Sequence, residues 1–150
     1  EVVYMGIPRD EEVLYLDVAF PQNSIPTRSI LGERAPMYCT GIGKAMLAYL
    51  PAETVNAVIS KGFHKFTDNT IVSEDALLKE LQSIRGKGYA VDNMEHEYGI
   101  KCVGMPVLDD QGRVMLGLSI SGPSLRFTEE KIKEFATILR ENVLHISQRL

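Results

Sequence analysis

The chain of 150 residues has few cysteines, no surplus of basic residues and no long apolar run. Its two cysteines, Cys39 and Cys102, lie far apart without CxxC spacing or a secretory leader, which disfavours a disulfide framework and favours a reducing cytoplasm. Lysine and arginine number 16 against 20 acidic residues, and the net charge of -4 argues against a nucleic-acid backbone as the partner of this chain. No stretch of about 18 uncharged apolar residues occurs, so no membrane span is expected.

The composition is that of one globular domain. With 45% hydrophobic and 24% charged residues, the chain can bury most of its apolar surface without crosslinks. It starts without a methionine, directly in the strand-like segment EVVYMGI, and we therefore expect it to be part of a longer protein.

Two groups of predicted strands flank a central set of predicted helices. The strands are expected at residues 2–7, 12–20 and 25–31, and again at 89–93, 101–109 and 113–121. The segment GERAP is expected to be a loop. One helix is predicted over residues 42–50 with a cap at Thr40, and others begin at Pro51, Ser73 and Thr128. Hairpin-linked strands with inserted helices indicate an α+β fold, in which helices pack across an antiparallel sheet of about six strands.

The segment YCTGIGKAMLAYLP places Gly41 and Gly43 at the start of an apolar helix. A phosphate-binding loop is excluded, because Tyr38 and Ala45 occupy the positions where that motif needs a glycine and a hydroxyl residue. Two interpretations remain. The glycines allow either a sharp turn and close packing of the helix, or the approach of a small anion to free amides at the helix N-terminus.

Strand alternation in the segment LGLSIS separates two faces of different chemistry. The apolar face, predicted to be core, carries Leu116, Leu118 and Ile120. The opposite face carries Gly117, Ser119 and Ser121. This small, hydroxylated face is either a solvent-facing polar row or the floor of a pocket.

Cys102 lies on the preceding strand and is either an inert core residue or the nucleophile of a thiol-dependent hydrolase or transferase. No catalytic signature surrounds it, so catalysis is the less favoured alternative. A charged cluster precedes this strand and is expected to be a solvated loop; it consists of Asp92, Glu95, His96 and Glu97. The spacing of His64, His96 and Cys102 does not indicate a metal site, and no metal ion or other cofactor is expected.

Three sequence blocks occur in a fixed order along the chain: CTGIGKAMLAYLP, FTDNTIVSEDALLKELQSIRGKGYAVDNMEHEYGIKCVGMPVLDDQGRV and GLSISGPSLRFTEEKI. Together they resemble the effector-binding domain of the IclR family of bacterial transcriptional regulators, over essentially the whole chain. The resemblance implies a GAF-like α+β fold and an N-terminal winged helix-turn-helix domain outside this chain. It also implies a homodimer or homotetramer that contacts operator DNA only through that domain, a small organic acid as effector, and no enzymatic activity.

The resemblance also implies the residues of an effector pocket. In the family, the pocket is formed at the helix start, by an acid before the next strand, by a cysteine on that strand and by two alternating serines. The corresponding residues here are Gly41, Ile42, Asp92, Cys102, Ser119 and Ser121, with Ile100 as an apolar wall. An effector carboxylate would then accept hydrogen bonds from the amides of Gly41 and Ile42.

The segment LSISGPSLRFTEE further resembles the subgroup that controls the breakdown of sugar acids such as ketodeoxygluconate. A sugar acid is therefore the expected effector, ahead of aromatic acids, short keto acids and glycerol-related compounds. Phe63, His64 and Lys65 lie in a region where family members differ, and effector identity usually varies with such positions.

Overall fold

One antiparallel sheet organises the fold. The computed structural model describes residues 1–23 and 30–150. In this part of the chain the strands are β1 (Val2–Arg9), β2 (Glu12–Ala19), β3 (Arg34–Pro36), β4 (Ala90–Asn93), β5 (Ile100–Leu108) and β6 (Val114–Pro123). Their order across the sheet is β3-β2-β1-β6-β5-β4, and every neighbouring pair is antiparallel.

Four α-helices and one short 3-10 helix (Ser124–Arg126) in the described residues complete an α+β fold, as predicted. The α-helices are α1 (Gly41–Leu47), α2 (Ala52–Lys61), α3 (Glu74–Lys87) and α4 (Glu129–Ser147). The predicted caps are confirmed, because the hydroxyls of Thr40, Ser73 and Thr128 accept hydrogen bonds from amides in the first turns of α1, α3 and α4. Within residues 1–23 and 30–150, no helix combines the length and the apolar character needed to cross a membrane.

The prediction that GERAP is a loop is wrong, since the segment contains β3. Ala35 is buried and lies opposite Val13 of β2 in the antiparallel register. Pairing with an existing strand outweighs the turn-forming composition of this segment, because strand preference depends on the neighbouring strand more than on the residues alone. Another strand was predicted over residues 25–31. Residues 25–29 of it lie outside the described residues, and residues 30 and 31 are not in a strand.

The first helix also ends earlier than predicted. α1 stops at Leu47, and the amides of Tyr49 and Leu50 then donate to the carbonyls of Met46 and Leu47, three residues back. This tightened turn leads into Pro51, which disfavours helical geometry in the residue before it.

The sheet separates two hydrophobic clusters. Leu118 and Ile120 of β6 pack with the cluster under α4, whereas Ser119 and Ser121 point to the side on which α1 lies, as alternation predicted. The buried side chains on the α4 side also include Val103, Met105, Val107, Phe127, Ala136 and Leu139. Those on the α1 side include Val13, Met37, Ile42, Met46, Leu77, Leu81 and Ile84.

Candidate functional site

A cavity of about 590 Å³ lies where the first turn of α1 meets the sheet. All seven residues predicted from the sequence line it: Gly41, Ile42, Asp92, Ile100, Cys102, Ser119 and Ser121. The wall also includes Tyr4, Tyr15, Phe20, Arg34, Thr40 and His96. The fold therefore brings the predicted residues together, while their binding of a ligand stays a prediction.

The first turn of α1 sits directly on β5 because both surfaces lack side chains at the contact. A Cβ atom at Gly104 would overlap the carbonyl of Gly41, and one at Gly41 would lie 3.1 Å from the Cβ of Cys102. Close packing therefore requires glycine at position 104 and leaves little room for a side chain at Gly41, in agreement with one of the two interpretations of the sequence. The same contact places the start of α1 at the cavity wall, and the first amides of a helix have no partner within the helix.

Two hydroxyls and a thiol form one wall of the cavity. The register places Cys102 opposite Ser121 and Gly104 opposite Ser119. The Sγ of Cys102 and the Oγ of Ser121 share a hydrogen bond of 2.8 Å. Burial raises the pKa of the Cys102 thiol well above its ordinary value, and the nearby Asp92 carboxyl raises it further. A catalytic thiol needs a lowered pKa, so this wall is suited to binding rather than to nucleophilic attack.

Asp92 is a buried carboxyl on β4, with only 4% of its surface exposed. Its Oδ1 accepts a hydrogen bond of 2.7 Å from the amide of Glu95. Burial raises the pKa of Asp92 to about 7, although the Glu95 amide lowers it. Asp92 therefore exchanges its proton near neutral pH and can both donate and accept hydrogen bonds in the cavity.

The prediction that the charged cluster before β5 is a solvated loop is wrong, because the cluster is largely buried. Asp92 and Glu95 are both buried, and only Glu97 of the three acids is exposed. Burial also lowers the pKa of His96, so its imidazole is neutral at neutral pH. The charge pattern suggested solvation because acids are rarely buried unless a partner is present, and the partner lies far away in the sequence.

That partner is Lys44, which the sequence interpretation passed over. Its side chain is 1% exposed, and its Nζ contacts Glu80 of α3 and Glu95 of the loop after β4. The sequence did contain a signal that Lys44 is buried, because this lysine lies within the apolar run GIGKAMLA. If the apolar helix formed by this run is buried, the lysine is buried with it. The aromatic wall was also missed: the Tyr4 and Tyr15 rings meet edge to face at 5.6 Å between centroids.

A second cavity, of about 410 Å³, is lined in part by Tyr38, Phe63, His64 and Phe66. Phe63 and His64, which the sequence linked to effector identity, thus line this second cavity. The Phe66 ring contacts both His64 and His96, at centroid distances of 4.6 and 4.7 Å. In residues 1–23 and 30–150, no group of three or more histidine, cysteine or acidic side chains could hold a metal ion.

Comparison with known families assigns the fold. Residues 1–148 match the family model described as bacterial transcriptional regulator IclR, C-terminal. The chain belongs to the IclR family. The crystal structure of the Thermotoga maritima IclR superposes on this IclR-family chain with a TM-score of 0.92 and 40% identity, covering 100% of this chain and 61% of that one.

Two curated relatives of this IclR-family chain come from Escherichia coli strain K12. The HTH-type transcriptional regulator KdgR is 34% identical over 100% of this chain and 57% of its own length. The HTH-type transcriptional repressor AllR is also 34% identical, over 100% of this chain and 56% of its own length. The chain therefore spans little more than half the length of these relatives. Both are regulators, and neither comparison supports the thiol-dependent hydrolase or transferase.

Proposed function

We propose that this chain is the effector-binding domain of a longer bacterial transcriptional regulator and that its cavity of about 590 Å³ binds a small organic acid. The part of the regulator outside this sequence would carry a helix-turn-helix domain and make the contacts with operator DNA. The net charge of -4 agrees with that division, since this piece has no basic surplus for a phosphate backbone. A regulator of this kind acts on chromosomal DNA and is therefore expected in the cytoplasm. It would act as a homodimer or homotetramer.

The observation that supports the proposal best is the convergence of hydrogen-bond donors on one cavity wall. The first turn of α1 and the hydroxyls of Ser119 and Ser121 all border the same space. A buried carboxylate needs several donors to offset its lost hydration, and charge-assisted hydrogen bonds to amides and hydroxyls supply them. The amides of Gly41 and Ile42 and the two serines would together bind the acid group.

A hydroxylated acid suits the rest of the cavity. Asp92, Tyr4 and Tyr15 line the cavity together with the apolar Ile100 and offer hydrogen-bond acceptors and donors. A plain hydrocarbon acid would displace water from these polar groups without replacing its hydrogen bonds, which costs binding energy. A sugar acid such as ketodeoxygluconate is therefore our first candidate, although the equal identity to KdgR and AllR does not select it.

A thermal-shift screen of this chain tests the proposal. The panel contains 2-keto-3-deoxygluconate, gluconate, pyruvate, glyoxylate and 4-hydroxybenzoate, each with a neutral analogue lacking the carboxylate. A ligand that binds only the folded state stabilises it by RT ln(1 + [L]/Kd) and so raises the melting temperature. At least one acid should therefore raise it while its neutral analogue does not. Equal effects of the acids and their neutral analogues, or shifts that survive a Ser119→Ala/Ser121→Ala double substitution, would place the ligand elsewhere.

A further inference from the structure

A buried ionic cluster lies behind the wall of the cavity. The Nζ of Lys44 donates hydrogen bonds to Glu80 at 2.9 Å, to the carbonyl of Val91 at 2.8 Å and to the Oε2 of Glu95 at 3.0 Å. The second oxygen of Glu95, Oε1, lies 2.9 Å from the same nitrogen. One lysine on α1 is thereby tied to α3, to β4 and to the loop that follows β4.

Glu95 connects this cluster to the cavity. Its side chain accepts a hydrogen bond of 2.9 Å from the amide of Asn93, and its own amide donates one of 2.7 Å to Asp92. These two bonds close the turn that follows β4 and fix the Asp92 carboxyl at the cavity wall. The position of Asp92 therefore depends on Glu95, and the position of Glu95 depends on Lys44.

The cluster also acts on the charge of Asp92. Lys44 favours the ionised carboxylate and Glu95 disfavours it, because unlike charges attract and like charges repel in a site removed from water. In residues 1–23 and 30–150, the other titratable or charged groups around Asp92 or on the cavity wall are Tyr4 of β1, Tyr15 of β2, Glu33 before β3, Arg34 of β3, Cys39 before α1, Cys102 of β5, and His96 and Glu97 of the loop. Among the charged groups of the described part of the chain, Lys44 and Glu95 are the two that are buried with Asp92.

We infer that Lys44 and Glu95 are positioning residues of the cavity, which hold the Asp92 carboxyl in place and set the charge that it presents to a bound acid. The inference rests on the proposed function in one respect only, namely that the cavity binds a ligand. The ionic cluster acts on Asp92 whether or not a ligand is present. The ligand-free protein therefore provides a test that is independent of the effector.

The first experiment measures the titration of Asp92 by carbon-13 NMR in the ligand-free chain, with its carboxyl signal assigned through Asp92→Asn. Glu95→Gln keeps the amide bond to Asp92 and removes one negative charge, so the Asp92 midpoint should fall by about one pH unit. Lys44→Met/Glu95→Gln also removes the positive charge and leaves no unpaired Glu95, so the midpoint should rise again relative to Glu95→Gln. Opposite shifts of this kind are not expected from loosened packing alone.

The control is the exposed pair Lys131 and Glu134, whose charged atoms lie 3.1 Å apart on α4. The matched double substitution Lys131→Met/Glu134→Gln should leave the Asp92 midpoint unchanged. If Glu95→Gln fails to fold, Glu80→Gln takes its place, because Glu80 is partly exposed and its removal also frees Lys44 to stabilise the Asp92 carboxylate. Equal midpoints in the parent and in every folded cluster variant would overturn the inference.

The second experiment measures affinity for 2-keto-3-deoxygluconate between about pH 5.5 and 8.5 by calorimetry. The pH at which affinity changes should follow the Asp92 midpoint in the parent and in Glu95→Gln. If the Asp92 midpoint shifts in Glu95→Gln but the pH dependence of affinity does not, Asp92 does not control ligand binding, and that part of the inference is overturned. If this acid does not bind at all, the proposed effector is wrong, and the NMR titration alone decides the role of Lys44 and Glu95.

Discussion

At the scale of single residues, the cavity depends on polar groups that are held away from water. Asp92, Ser119 and Ser121 are each less than 8% exposed, yet they border open space in the interior. Groups in this position contribute little to stability by themselves, because burying a polar group costs free energy unless it is fully hydrogen-bonded. Substitution of such a group is therefore expected to affect ligand binding and the free energy of unfolding differently.

The first prediction concerns the stability cost of Asp92. Its pKa is higher in the folded state, at about 7, than the 3.8 of an unperturbed carboxyl, so the folded state binds more protons between these values. Stability contributed by this group is present below about pH 4 and is lost as the pH rises through about 7. At about pH 8, Asp92→Asn should therefore raise the free energy of unfolding by roughly 1 to 3 kcal/mol, and at about pH 4 it should give no gain.

Urea denaturation at both pH values measures this effect. Asp109→Asn is the control with the opposite sign, because hydrogen bonds from the Arg113 amide and side chain lower the pKa of Asp109. That substitution should reduce stability at about pH 8 and have less effect at low pH. A loss of stability for Asp92→Asn at the higher pH would show that its carboxylate is stabilised in the folded protein.

The second prediction concerns Ser121. Ser121→Ala removes one donor from the acid group and should weaken binding of the effector by about 1 to 3 kcal/mol, because a charged group is left short of a partner. Calorimetry with the acid found in the screen measures this loss. Ser83→Ala is the matched control, since Ser83 lies exposed on α3 and should leave affinity unchanged. Equal affinities of the two variants would remove Ser121 from the site.

At the scale of elements, the contact between α1 and β5 decides where the cavity forms. Gly104→Ala would place a methyl group against the backbone of Gly41, and neither backbone can yield without moving the helix. We expect a loss of about 2 to 3 kcal/mol in the free energy of unfolding, typical of a severe case of overpacking. Gly86→Ala is the control, because its Cβ meets nothing within 4 Å and alanine favours a helix. Equal free energies of unfolding for Gly104→Ala and Gly86→Ala, measured by denaturant unfolding, would contradict this account of the contact.

Most elements of this fold are predictable from the sequence, and the strand that was missed depends on a distant partner. The helix starts follow from local capping at Thr40, Ser73 and Thr128, and the two faces of β6 follow from alternation. β3 was missed because its identity as a strand comes from pairing with β2 rather than from its own residues. Local rules have no access to such distant partners.

The same cause limits what could be predicted of the site. The seven predicted residues came from a family resemblance, and all of them line the cavity. Lys44 and Glu95 were missed because the ion pair that lets both be buried joins positions 51 residues apart in the sequence. The apolar neighbours of Lys44 in GIGKAMLA indicate that this lysine is buried, but they do not indicate which distant carboxylate pairs with it.

At the scale of the whole molecule, the outer side of α4 leaves apolar side chains in water. Ile138 is 42% exposed and Leu144 is 57% exposed. We predict that the chain self-associates through this helix and that Ile138→Lys/Leu144→Lys produces monomers, because charges are depleted from the buried centre of interfaces. Sedimentation equilibrium at high micromolar concentration measures the change. Leu78→Lys, at a leucine 43% exposed on α3, is the control and should leave the association intact. A monomeric parent chain at this concentration would contradict the prediction.

The sheet order has a consequence for how the chain reaches its folded state. β1 and β2 form one hairpin, and β5 and β6 form another, so each pair can form from local sequence. The two hairpins are then joined side by side, with Val2 opposite Ser121 and Gly6 opposite Gly117. This central seam closes a loop of more than a hundred residues, and joining distant segments slows folding. During synthesis, β1 therefore carries an unpaired edge until β6 has left the ribosome, and an unpaired strand edge is the usual starting point of aggregation.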